Sequence, residues 1–173
     1  MTTTTVFVAE KISDATLLRS LLSISIPKLD MEFYAAQGKL GLASLAGNIA
    51  VDLRCAMMII GDSDRLAPDE AELFEGQHRV LIEHLLPSEL VGVFLFTPSL
   101  EQVISDTLEI DVKDAITADR LSMIEAALLE SNEVELTAHP QLAAFLRAVL
   151  KLRTAMTLPM AEAEQPTTYE HAM

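Results

Sequence analysis

Four short apolar runs, separated by amphipathic stretches, organise this chain. Residues 6–9 read as a strand closed by Glu10. In the segment SDATLLRSLLSI that follows, Leu17, Leu18, Leu21 and Leu22 recur at helical spacing. Ser13 is placed to cap that helix and Asp14 to complement its dipole, and Pro27 ends the region. Met31–Ala35 reads as a second strand, which runs through the turn Gln37-Gly38-Lys39 into the helix LGLASLAGNIAVDL. The third run, CAMMII, is unbroken until Gly61 stops it, the pattern of a strand buried on both faces of a parallel sheet. A polar loop with Pro68 leads to an amphipathic helix over about residues 69–86, stopped by Pro87. Val91–Phe96 is the fourth strand, and Thr97 or Ser99 can cap the next helix, which carries Glu101. Two further helices, over residues 118–130 and 140–154, complete the pattern, and residues 160–173 read as a frayed polar tail.

Strands alternating with helices, without internal repeats or a dividing linker, predict one doubly wound α/β domain over residues 5–155. Its centre is a mostly parallel sheet of about four strands, with extra helices at the C-terminus. A length of 173 residues suits one full core rather than two ordinary domains, and half the residues are hydrophobic. No apolar run approaches the roughly 20 residues that span a bilayer. The opening MTTTT lacks the basic region of a secretory signal, so a cytoplasmic protein with no membrane role is expected. A single cysteine, Cys55, inside an apolar strand excludes a disulfide framework and a zinc cluster.

Parallel sheets gather their chemistry at the carboxyl ends of the strands. Four features fall there: Glu10, Gly38-Lys39, Asp62-Ser63-Asp64 and, shortly after the fourth strand, Glu101. Asp62 and Asp64 are expected to stand together at the sheet edge with Ser63 pointing away. Crowded carboxylates repel unless a cation or a proton lies between them, and oxygen-only ligands suit Mg²⁺. Each residue also has a plainer reading. Glu10 is an acid after a strand, Asp14 a helix N-terminal acid, and Asp62 and Asp64 are loop and cap residues. Gly38 serves a turn through positive φ, and Lys39 either touches phosphate or is an exposed surface lysine. His78 and His84, six apart on one helix, do not share a face, and no serine has a histidine-acid companion that the sequence can place beside it.

Taken in order, these residues resemble a Toprim domain. The segment VFVAEKISDATLLRSLL is similar to the opening of that domain, whose first strand ends in a Glu followed by an acid at the head of the next helix, here Glu10 and Asp14. Gly38 resembles the family's Gly after the second strand, and Asp62 and Asp64 its paired acids after the third. Toprim folds occur in topoisomerases, primases, recombination proteins, a ribosomal RNA maturase and the nucleases of the overcoming-lysogenization-defect family. In that last group a further Glu after the fourth strand takes part in metal binding, and FLFTPSLEQVI resembles that site at Glu101. The resemblance covers residues 6–108. It implies a Rossmann-like Toprim fold, Mg²⁺ or Mn²⁺ as cofactor, and phosphodiester hydrolysis of DNA or RNA. In it Glu10, Asp14, Asp62, Asp64 and Glu101 are metal ligands, Glu10, Asp62 and Asp64 carry catalysis, and Gly38 and Lys39 meet substrate. The chain departs from the pattern in having Lys11 where the family often has Gly. It also lacks the ATPase domain or basic surface that usually accompanies such nucleases.

Charge bears on partners. Twelve Lys and Arg against 26 Asp and Glu give a formal net charge of −14, and no basic stripe of the kind that holds duplex DNA is visible. Arg147 and Lys151 share a face of the last helix but read as a solvated helix end. A nuclease of this charge is expected to work with an ATPase or a basic subunit, and self-association is left open. The alternative reading is a non-catalytic regulatory or interaction module on a Toprim-like scaffold. A third is an enzyme acting on small phosphorylated substrates, which needs no basic groove.

Overall fold

The computed structural model describes residues 4–53, 55–64, 66–112 and 115–157. Along the chain run β1 (Thr5–Ala9), α1 (Ile12–Ser25), β2 (Met31–Ala35), α2 (Lys39–Leu53), β3 (Ala56–Asp62), α3 (Pro68–Glu83), β4 (Val91–Phe96), α4 (Leu100–Thr107), α5 (Thr117–Glu130), α6 (Glu133–Ala138) and α7 (Pro140–Thr157). The four strands form one parallel sheet in the order β2-β1-β3-β4. The expected α/β class is borne out, and the architecture is Rossmann-like.

Side chains alternate across a strand, and both faces of this sheet are covered. Phe7, Ala9, Met58 and Ile60 point to one face, where α1, α4, α5, α6 and α7 bring Leu21, Val103, Leu128, Leu136 and Phe145. Val6, Val8, Met57 and Ile59 point to the other, against Leu42 and Ala46 of α2 and Phe74 and Ile82 of α3. Burial on both sides is why the third run is apolar without interruption.

Several boundaries differ from the sequence reading. Gly61 does not stop β3; the strand continues through it to Asp62, both residues pairing with β4 opposite Leu95 and Phe96, while Phe74 occupies the space a side chain at Gly61 would need. A Cβ on Gly61 would lie 2.6 Å from Phe74 Cζ. Cys55 is half-buried and stands just before the strand rather than inside it. Helix α1 starts at Ile12 behind an extended Lys11, so Ser13 lies within the first turn and is not the cap. Helix α3 ends at Glu83, and the turn after it is closed by Leu85 and Leu86 amides donating to the Ile82 carbonyl. Ser99 does cap α4, accepting from the Gln102 amide at 3.2 Å. Three closing helices replace the two expected, since α6 intervenes with Asn132 and Glu135 forming a reciprocal capping box. The predicted tail lies outside the described residues.

Strand order fixes where chemistry can gather. From β1 the chain moves out to β2, then crosses back to β3 on the other side of β1. The crevice between the carboxyl ends of β1 and β3 is thus the topological switch point, the usual ligand position in open α/β sheets.

Candidate active site at the switch point

Glu10 leaves β1 directly into this crevice and is buried. Its backbone carbonyl accepts from the Gly38 amide at 2.9 Å, which ties the β2–α2 turn to the end of β1. That turn needs left-handed backbone at Gln37 (φ 58°) and Gly38 (φ 131°), and the second value suits glycine, as expected. The turn delivers Lys39, the first residue of α2, back over the crevice. Lys39 Nζ lies 3.1 Å from Glu10 Oε2 and 3.5 Å from Asp64 Oδ1, with its side chain only 17% exposed. It is a largely buried ion-pair residue, not the exposed surface lysine that was the plainer expectation.

Asp62 ends β3 and its side chain is 2% exposed. Both carboxylate oxygens are engaged. Oδ2 accepts from Lys11 Nζ at 2.9 Å, and Oδ1 accepts from the Leu100 amide at 2.9 Å, the first residue of α4. The carboxylate therefore sits at the positive end of a helix dipole. The Asp62 amide is 3.5 Å from Glu10 Oε2, so the two acids belong to one network. The loop entering α4 is held by Gln141, which accepts from the Thr97 amide at 2.9 Å and donates to the Thr97 carbonyl at 2.7 Å.

Asp14 lies in the first turn of α1 and is buried. Burial, and then the nearby Asp62 charge, push its carboxyl up to about 7; the Lys11 charge and backbone N–H pull in the opposite sense, and Glu10 adds to the rise. Burial alone would lower the Lys11 ammonium, but its hydrogen bond to Asp62, with the charges of Asp62, Asp14 and Glu10, raises it on balance. Asp64 stands two residues beyond Asp62, past a Ser63 amide that donates to the Phe96 carbonyl at 2.8 Å, and it is part-exposed. Asp62 and Asp64 thus answer to different lysines. Glu101 follows Leu100, but its Oε1 faces Arg120 Nη1 of α5 at 3.5 Å.

The structure therefore links Glu10, Asp62 and Asp64 with Lys11 and Lys39 through ion pairs and hydrogen bonds, sets the buried Asp14 within reach of their charges, and directs Glu101 to a separate ion pair. Sequence reasoning passed over Lys11, treating it only as a departure from a pattern. The signal was a lysine next to the acid that ends a buried strand.

The donors match a hard divalent cation in kind, being carboxylate oxygens alone, while the rise of the Asp14 carboxyl owes most to its burial. Lys11 and Lys39 pair with these acids, and among the described residues no three acid, histidine or cysteine side chains stand close enough to hold one ion. Among the described residues, too, no helix is long and apolar enough to cross a membrane.

No protein-family model matches the sequence, and no curated protein matches it. Among solved structures, the chain is similar to the C-terminal region of the Burkholderia pseudomallei OLD protein, with 14% identity and a TM-score of 0.48 over 90% of this chain and 98% of that one.

Proposed function

We propose that this chain hydrolyses phosphodiester bonds in DNA or RNA with Mg²⁺ or Mn²⁺, as a Toprim-type nuclease working inside a larger assembly. The observation that most supports this reading is the meeting of Glu10 and Asp62 at the switch point, with Asp14 and Asp64 beside them. Asp62 and Asp64 would hold the ion, with Glu101 joining them on release from Arg120. A bound divalent ion polarises the scissile phosphate and lowers the pKa of a bound water. In this reading Glu10, buried and paired with Lys39, handles protons or shares the ion, and Asp14 supports the site. Helix α4 orients Asp62 through the Leu100 amide.

Titration of Mg²⁺ and Mn²⁺ into the protein by calorimetry, beside an Asp62→Ala, Asp64→Ala double variant, tests the ligand assignment. Saturable binding lost in the variant is expected. Cleavage of labelled single-stranded DNA, duplex DNA and RNA, each with and without the ion, then tests the activity. An isolated chain that binds and cuts nucleic acid efficiently at physiological salt would overturn the assembly part of the reading.

The second reading, a non-catalytic module, is favoured by one observation: Lys11 and Lys39 already serve as cations to the acids. It gains the lead if neither ion binds at millimolar concentration with nucleic acid present.

A further inference from the structure

A helix on the outside of an α/β domain needs one apolar stripe, the one that faces its sheet. Helix α3 has two. Phe74 and Ile82, with Leu86 in the turn beyond, are buried on the sheet side, whereas Leu73 and Val80 on the opposite side are 56% and 58% exposed, with an exposed Leu81 beside them. Single exposed apolar side chains are ordinary, but a row of them on one helix marks a surface that another molecule covers. Leu73 and Val80 lie seven residues apart, the repeat of a coiled-coil seam, and Gly76 falls between them. Packing within the chain does not require that glycine. A Cβ added to it meets no atom within 4 Å, and glycine weakens a helix interior relative to alanine. Its missing side chain leaves room for a close approach from outside.

At helical spacing the outward stripe runs Asp69, Leu73, Gly76, Gln77, Val80, His84, and every one of these residues is exposed. About a midpoint between residues 76 and 77 the stripe matches its own reverse: Leu73 mirrors Val80, Gly76 mirrors Gln77, and the acid Asp69 mirrors His84. Among the described residues the side chains of Asp69 and His84 have no hydrogen-bond or ion-pair partner. A surface that complements its own reverse is what an isologous twofold contact needs. We propose that a second copy of this chain covers the stripe. Two α3 helices pack antiparallel about an axis between Gly76 and Gln77, Leu73 of each copy meeting Val80 of the other and Asp69 accepting a hydrogen bond from the opposing His84 ring. A pair of 16-residue helices falls below the standard interface size, so the dimer is weak, half-formed at a concentration on the order of 100 μM. It needs neither a metal nor a substrate, and so holds or fails separately from the nuclease reading.

The test is sedimentation equilibrium of the full chain at physiological ionic strength, over roughly 10 μM to 1 mM, beside Val80→Glu and, as a control, Leu150→Glu on α7. Both substitutions replace exposed side chains with a good helix former, so the fold is kept. The apparent mass should rise from one chain towards two for the unaltered protein and for Leu150→Glu. Val80→Glu sets a charge in the apolar seam of each copy and should weaken association about tenfold or more. A chain that stays monomeric throughout overturns the dimer, and so does association that Val80→Glu leaves unchanged or that Leu150→Glu weakens equally. Cross-linking reads the register. In a Cys55→Ser background, Asp69→Cys chains mixed with His84→Cys chains should be joined by a short bismaleimide. Neither should cross-link alone, because like positions of an antiparallel pair lie about 22 Å apart along the axis. A product from either variant by itself, or none from the mixture, overturns the antiparallel pairing.

Discussion

Asp14 gives the crevice a measurable pH signature. In the unfolded chain its carboxyl has an ordinary value near 3.8, and in the folded protein burial raises it to about 7. Between those values the unfolded chain has released this proton and the folded protein still holds it. Its contribution to stability is therefore complete below about pH 4 and is lost as the pH rises towards 7, at no more than about 1.4 kcal/mol per pH unit. Asp14→Asn is expected to remove that slope and to be more stable than the unaltered protein at neutral pH, which urea unfolding near pH 5 and near pH 7 checks. At this scale Glu10 and Asp62 were legible, because each follows an apolar run. The partners were not: Lys11 and Asp62 lie 51 positions apart, and no local pattern links them.

Elements are where sequence and structure agree most. Two-sided burial writes itself as continuous apolar runs, which made the central strands β1 and β3 readable, whereas the edge strand β2 carries an exposed Glu32 within its apolar residues. The exceptions have particular causes. The end of β3 was misplaced at Gly61 because a glycine there looks like a terminator, whereas its role is to admit the Phe74 ring. Gly61→Ala is expected to cost about 1–3 kcal/mol by overpacking, seen as a lower urea midpoint with an unchanged slope. Helix α6 escaped notice since six residues carry too little periodicity, although Asn132 and Glu135 already had capping-box spacing. Replacing Asn132 with alanine should cost about 1 kcal/mol, read in the same unfolding assay.

At the scale of the whole molecule, strand order was the piece that no stretch of sequence encodes. It follows from which sheet face each helix covers, and it alone brings the ends of β1 and β3 side by side. Net charge acts at this scale too. With −14 overall, the isolated chain is expected to bind duplex DNA weakly without divalent ions, with a shallow salt dependence, because few phosphates are neutralised. Fluorescence anisotropy across a salt series checks this, and a steep slope would reveal a basic surface. One connection has wider reach than its two hydrogen bonds suggest. Gln141, in the first turn of α7, grips both backbone groups of Thr97, and that loop ends at the amide that holds Asp62. The C-terminal helix is thereby geared to the acid at the sheet's centre, so a protein that grasped α7 would have a lever on chemistry it never touches.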